Sequence, residues 1–175
     1  VEKLTKAVKE LPIGSPEDNV RFGPVVSASA EASILEYMEL AKKEGRILAG
    51  GNKMDRPGYF LEPTVVADLP VDHRISLEEI FGPVLAVFKS KNFDEALEIA
   101  NNTAFGLTGG VFTLNREKIM KARKHFHVGN LYFNRKITGA IVDVHPFGGF
   151  NMSGTDSKAG SRDYLLLFMQ GKATS

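Results

Sequence analysis

Residues 84–133 read VLAVFKSKNFDEALEIANNTAFGLTGGVFTLNREKIMKARKHFHVGNLYF, and this stretch decides the fold. It contains three apolar segments of strand length, at Val84–Phe88, Leu107–Leu114 and Val128–Phe133. The first is apolar almost without interruption, which is typical of a strand buried on both faces of a parallel sheet. Between the strands, residues 92–95 (NFDE) have the form of a capping box, and Asn115 can cap a second helix. Alternation of strand and helix is the order of right-handed parallel crossovers, so the stretch predicts an α/β fold with a largely parallel sheet and flanking helices.

The sequence on either side of this stretch predicts further elements. Helices are expected over Val1–Leu11 and, capped by either Ser27 or Ser29, up to Gly45. Extended segments are expected over Arg46–Ala49 and Gly58–Val66. Near the other end, the apolar run Tyr164–Met169 predicts a strand. An open apolar edge invites another chain, so this strand either completes the local sheet or pairs with a second subunit.

The predicted strand Val128–Phe133 leads into a loop rich in glycine and aromatic residues. In Thr138-Gly139-Ala140 the glycine permits backbone angles that aim successive N–H groups at one point, and such an arrangement can hold a carboxylate. Phe147 could form an apolar wall beside the anion. An ordinary glycine turn at the end of a strand explains the same residues, and their spacing does not separate the two interpretations.

Composition excludes several classes of protein. The 175 residues carry 22 basic and 21 acidic side chains, with no basic run typical of a nucleic-acid surface. No apolar run is long enough to span a bilayer, so we expect a soluble protein without a membrane partner, cytoplasmic or, in a eukaryote, in the mitochondrial matrix. The chain has no cysteine, which excludes disulfides, thiolate metal sites and a cysteine nucleophile within it. The four histidines show no metal-ligand spacing, so we expect no metal site.

Three motifs occur in a fixed order along the chain: residues 78–84 (EEIFGPV), residues 101–111 (NNTAFGLTGGV) and residues 146–149 (PFGG). Together they resemble the C-terminal part of the catalytic domain of the aldehyde dehydrogenase family. Residues 129–142 (GNLYFNRKITGAIV) resemble the glutamate semialdehyde (1-pyrroline-5-carboxylate) branch of that family. The chain begins at Val1 without a methionine, so we expect a piece of a longer protein: a partial catalytic domain over residues 1–150, then a linker and oligomerisation strand over residues 151–175.

The resemblance implies roles for particular residues. Glu79 would accept hydrogen bonds from the nicotinamide ribose of NAD, and Phe81 would pack near the nicotinamide. Gly139 and Ala140 would offer N–H groups to the α-carboxylate of a small-molecule substrate, and Phe147 would contact its carbon chain. The implied reaction is covalent, with a cysteine thiolate attacking the aldehyde, hydride transfer to NAD and hydrolysis of the thioester.

The family's nucleophile, general base and nucleotide-binding half have no match here, so we expect no catalytic residue in this chain. The resemblance also implies a homo-oligomer formed through the terminal strand. Two alternatives stay open: the same architecture acting on another aldehyde, and a non-catalytic scaffold that reuses the fold.

Overall fold

A computed structural model of the chain describes residues 1–141, 144–145, 148–154 and 164–174. The chain divides into two compact units, Val1–Lys89 and Ser90–Ser175, and each is described by itself.

The first unit is a three-stranded sheet with helices. Its elements are α1 (Glu2–Lys9), α2 (Ala28–Glu44), β1 (Arg46–Ala49), β2 (Thr64–Ala67), α3 (Arg74–Leu77) and β3 (Val84–Val87), with a 3-10 turn at Pro16–Asp18. The central strand β2 pairs antiparallel with β1 and parallel with β3. All four residues of β2 are buried, as its central place in the sheet requires.

Helix α2 supplies much of the core of this unit. Ser27 caps it, since its hydroxyl oxygen accepts the N–H of Ala30 at 3.2 Å. Its buried residues Ile34, Met38 and Ala41 recur at helical spacing and form one face. Full burial of an aliphatic side chain of this size contributes about 1.5–3 kcal/mol, so this face fixes the helix to the sheet.

The second unit contains one parallel crossover. Its elements are α4 (Phe93–Asn101), β4 (Thr108–Val111), α5 (Arg116–His125) and β5 (Asn130–Phe133), with 3-10 turns at Asn151–Ser153 and Tyr164–Phe168. Strands β4 and β5 pair in parallel, in register from Thr108 opposite Asn130 to Val111 opposite Phe133. Leu97, Val111 and Ala122 form the buried core between helices and sheet.

The predicted α/β class is confirmed, whereas three details differ from the sequence-based expectation. Strand β3 pairs with β2, so the expected series of three parallel strands is divided between two sheets. Leu85 in β3 is 46% exposed, so that strand is not buried on both faces here. Asn92 caps α4 as predicted, but the Glu95 carboxylate accepts the N–H of Lys91, one residue before the cap.

The predicted strand Tyr164–Met169 is wrong for this structure, in which Tyr164–Phe168 is a 3-10 turn. A strand needs a neighbour for its N–H and C=O groups, whereas a 3-10 turn satisfies some of them locally, as Met169 N–H does with the Leu166 carbonyl at 3.2 Å. The six side chains of the run remain between 39% and 73% exposed.

Among the described residues, no helix combines the length and apolar character needed to cross a bilayer.

Candidate functional site

The first part of the candidate site is the turn from Glu78 to Pro83, which joins α3 to β3. Glu78 is held by two partners: the Tyr37 hydroxyl donates to its carboxylate at 2.6 Å, and Arg74 donates to both carboxylate oxygens at 2.9 Å. Arg74 first and Tyr37 second lower the pKa of Glu78 to about 2, so this carboxylate stays ionised at neutral pH. The bond to Glu78 in turn raises the pKa of Tyr37.

Glu78 and the neighbouring Glu79 are both exposed, but they differ in their contacts. Within the described part of the chain, the Glu79 carboxylate takes part in no hydrogen bond or ion pair. The carboxylate of Glu78 is therefore engaged within its own unit, whereas that of Glu79 has no partner among the described residues. That is the property expected of a group that accepts hydrogen bonds from ribose hydroxyls.

Phe81 adopts a backbone conformation that is unusual for a large side chain. Its φ is 57°, in the left-handed region, and its ring is 85% exposed. At the next residue, Gly82, the backbone passes directly over the buried Ile34 side chain of α2, since a Cβ on Gly82 would lie 2.6 Å from it. Such backbone strain costs on the order of 1–3 kcal/mol and is concentrated at functional positions.

The Phe81 ring forms one side of a groove of about 400 Å³. The opposite side consists of the segment Arg21–Val25, including Phe22 and Pro24, and Leu61 contributes to the lining. The lining mixes polar and apolar surface in nearly equal parts, and it includes the cation of Arg21. An aromatic ring held out from the backbone beside such a groove can bind a flat apolar or heteroaromatic group.

The second part of the candidate site is the loop after β5, in the second unit. Gly139 has a φ of 109°, so the left-handed geometry predicted for it is present. Among the described residues, no acceptor is hydrogen-bonded to the N–H of Gly139 or Ala140. The N–H of the following residue, Ile141, donates to His145 Nδ1 at 3.0 Å. Within the described ranges, two successive donors thus have no acceptor, whereas the third is bonded inside the loop.

The residues that follow Gly148 and Gly149 are hydrogen-bonded to Gly106, just before β4. Phe150 N–H donates to the Gly106 carbonyl at 3.0 Å, and Gly106 N–H donates to Ser153 Oγ at 2.8 Å. A Cβ on Gly129 would lie 1.8 Å from the Gly148 carbonyl oxygen, so only glycine permits this approach. The sequence motif at residues 101–111 therefore lies next to the end of the motif at residues 146–149. Sequence analysis did not identify Ser153, because partners 47 residues apart leave no local pattern.

The predicted site residues are thus distributed over the two units. Glu79 and Phe81 lie together on one turn of the first, and Gly139 and Ala140 lie together on one loop of the second. Phe147 lies outside the described residues. In the ranges that the structure describes, no group of three or more histidine, aspartate or glutamate side chains could hold a metal ion.

The model of the aldehyde dehydrogenase family matches residues 1–174 of this sequence. The chain therefore belongs to the aldehyde dehydrogenase family. Among its curated relatives, the 1-pyrroline-5-carboxylate dehydrogenases of Anoxybacillus flavithermus and Bacillus subtilis are 57% and 55% identical to it over 100% of the chain. The alignment covers 34% of each of those proteins, so the chain spans about a third of their length.

Solved structures also place the chain in the aldehyde dehydrogenase family. A 1-pyrroline-5-carboxylate dehydrogenase from Thermus with bound NAD matches 97% of the chain with a TM-score of 0.91 and 53% identity, using 33% of its own length. A betaine aldehyde dehydrogenase from Staphylococcus aureus in complex with NAD+ matches 88% of the chain with a TM-score of 0.81 and 31% identity, using 31% of its length.

Proposed function

We propose that the chain is part of an NAD-dependent dehydrogenase that oxidises L-glutamate γ-semialdehyde, the open form of 1-pyrroline-5-carboxylate, to L-glutamate in proline catabolism. The observation that carries the proposal is the pair of N–H groups at Gly139 and Ala140, which have no acceptor among the described residues. A simple aliphatic aldehyde offers nothing for these donors to bind. The α-carboxylate of an amino-acid semialdehyde satisfies both. The names of the relatives at 57% and 55% identity support the same substrate.

The turn from Glu78 to Pro83 fits the nicotinamide end of NAD. The exposed Glu79 carboxylate accepts hydrogen bonds from the ribose hydroxyls, and such bonds to a charged group contribute roughly 1.5–3 kcal/mol each. The exposed ring of Phe81 restricts the position of the nicotinamide. NAD, when bound, supplies the hydride acceptor for aldehyde oxidation.

The residues of this chain bind and orient, and they do not supply the nucleophile. A thiol is needed to form a thiohemiacetal with the aldehyde, and the sequence contains no cysteine. The nucleophile must therefore come from residues outside this sequence, and the family resemblance implies the same for the general base. In the assembled site, Gly139 and Ala140 fix the carboxylate end of the aldehyde, and Phe147 contacts its carbon chain.

We propose further that the full-length protein is a homo-oligomer and that the apolar segment Tyr164–Met169 contributes to the interface between its subunits. The supporting observation is the exposure of this apolar segment.

The substitution Glu79→Gln tests the cofactor part of the proposal in a full-length protein that carries these 175 residues. Glutamine keeps the shape of the side chain, loses the charge and presents a donor where an acceptor is needed. We expect the KM for NAD to rise roughly tenfold or more, with the KM for the aldehyde little changed.

Glu36→Gln is the matched control, because Glu36 is an exposed glutamate on α2. It should leave both constants at their original values. A raised aldehyde KM with unchanged NAD kinetics in Glu79→Gln would refute the assignment of Glu79.

A further inference from the structure

The turn that carries Glu79 and Phe81 has two faces. Glu78 is bonded to Tyr37 of α2, Ile80 packs against the two core clusters that α2 helps to form, and Gly82 lies directly over Ile34 of α2. Glu78, Ile80 and Gly82 therefore attach the turn to α2. Glu79 and Phe81, the candidate cofactor contacts, alternate with them and are exposed.

The attachment at Glu78 involves three side chains at hydrogen-bonding distance. Tyr37 donates to Glu78 Oε2 at 2.6 Å, and Arg74 Nη2 donates to the same oxygen at 2.9 Å. Arg74 Nε donates to Oε1 at 2.9 Å, which makes its contact bidentate. The Arg74 guanidinium also lies 5.5 Å from the centre of the Tyr37 ring. Every hydrogen bond of this cluster has the carboxylate of Glu78 as its acceptor.

The cluster is poorly suited to a role in overall stability. The side chains of Arg74 and Glu78 are 65% and 42% exposed, and exposed ion pairs contribute little to the free energy of unfolding. Its geometric effect is local. It fixes the side chain that immediately precedes Glu79 and holds the Glu78 backbone in an extended conformation, with φ −90° and ψ 148°.

We infer that Tyr37 and Arg74 are positioning residues for cofactor binding: by holding Glu78 against α2, they orient the Glu79 carboxylate towards the nicotinamide ribose. Neither residue touches the cofactor, and both act through Glu78. The inference rests on the proposed function, since it assumes that Glu79 binds the ribose. It adds Arg74, four positions before Glu78, and Tyr37, which no sequence motif identifies because it is 41 positions from Glu78.

A double-mutant cycle between Tyr37→Phe and Glu79→Gln tests the inference in a full-length protein that carries these residues. Phenylalanine keeps the ring and its packing and removes only the hydroxyl. We expect Tyr37→Phe to raise the Kd for NAD roughly three- to tenfold, the range for one lost hydrogen bond, with the aldehyde KM unchanged. In the Glu79→Gln background the same substitution should have no further effect on the Kd for NAD, because the carboxylate that it orients is already lost.

Tyr59→Phe is the matched control, as it removes a tyrosine hydroxyl from a residue of the same unit that is 40% exposed and outside the turn. Arg74→Lys is a second variant that keeps the charge and loses the bidentate geometry, and it should raise the Kd for NAD in the same direction. Thermal unfolding of each variant separates a folding defect from a binding defect.

Two results would overturn the inference while leaving the role of Glu79 intact. One is an unchanged Kd for NAD in Tyr37→Phe and Arg74→Lys when Glu79→Gln weakens binding. The other is an equal, additive loss from Tyr37→Phe in both backgrounds. If Glu79→Gln itself leaves NAD binding unchanged, the proposed cofactor contact fails and the positioning role fails with it.

Discussion

At the scale of single residues, the N–H groups of Gly139 and Ala140 are the feature that would separate an amino-acid aldehyde from a simple one. The φ of 109° at Gly139 belongs to the left-handed region, which proline cannot enter because its ring holds φ near −65°. Gly139→Pro therefore removes one donor and redirects the other. Ala140→Ser leaves both N–H groups in place and serves as the control.

We expect Gly139→Pro to raise the KM for glutamate semialdehyde at least tenfold in a full-length protein, and to change the KM for an aliphatic aldehyde of similar length much less. Steady-state kinetics with both substrates measure the difference. Equal losses on the two substrates would show that the loop supports the site without binding the carboxylate.

The sequence identified Glu79, Phe81, Gly139 and Ala140 as candidates because each lies in a short contiguous motif. Contacts between distant parts of the chain could not be predicted in the same way. Tyr37 reaches Glu78 across 41 positions, and Ser153 reaches Gly106 across 47. Such pairs form only when tertiary packing brings distant elements together, and a single sequence carries no sign of that.

At the scale of elements, local signals were reliable. Ser27, Asn92 and Asn115 each cap the helix predicted for them, because a cap depends on the side chain and the three residues that follow it. Strand pairing was less predictable, since hydrogen bonds between strands depend on residues far away in the chain. The order of elements indicated two parallel crossovers; the one from β4 to β5 is confirmed, whereas β3 pairs with β2 and not with β4.

The segment Tyr164–Met169 leads to a prediction about assembly. Its side chains are between 39% and 73% exposed, and exposed apolar area costs roughly 25 cal/mol per Å² relative to burial. We expect removal of residues 164–175 from a full-length protein to reduce its oligomeric state or cause aggregation, as measured by light scattering coupled to size-exclusion chromatography. Removal of residues 170–175 alone is the control, because it spares the apolar segment. An unchanged oligomer after the longer deletion would show that the segment does not hold subunits together.

At the scale of the whole molecule, the chain carries candidate binding groups in each of its two units but lacks the nucleophile of the proposed reaction. The chain has an acceptor at Glu79, an aromatic surface at Phe81 and a donor pair at Gly139 and Ala140, but no thiol. Its serine hydroxyls would need a neighbouring base to become nucleophiles, and its lysine amines would need a desolvated pocket.

We therefore predict that residues 1–175 alone catalyse no NAD-dependent oxidation of glutamate semialdehyde. Glu79 and Phe81 address only the nicotinamide end of NAD, whereas a dinucleotide is normally held by its pyrophosphate on a glycine-rich turn at a helix N-terminus. Asn92 and Asn115 cap helices α4 and α5, and no glycine lies in the turn before either cap. Neither helix therefore matches that arrangement. Binding of NAD to the isolated chain should accordingly be weak, at a Kd of roughly millimolar, where about 4 kcal/mol of binding free energy remains.

The measurement is the absorbance of NADH during incubation of the purified chain with the aldehyde and NAD, with full-length 1-pyrroline-5-carboxylate dehydrogenase of Bacillus subtilis as the positive control. Val26, Phe112 and Leu114 are 91%, 75% and 95% exposed, and such surface promotes association, so the assay should be run on the fraction that size-exclusion chromatography shows to be unaggregated. Turnover that persists through repeated purification, and that iodoacetamide does not abolish, would mean that this chain activates aldehydes without a thiol. A contaminating cysteine enzyme would instead lose its activity to the same reagent, because alkylation removes the thiolate on which the family's chemistry depends.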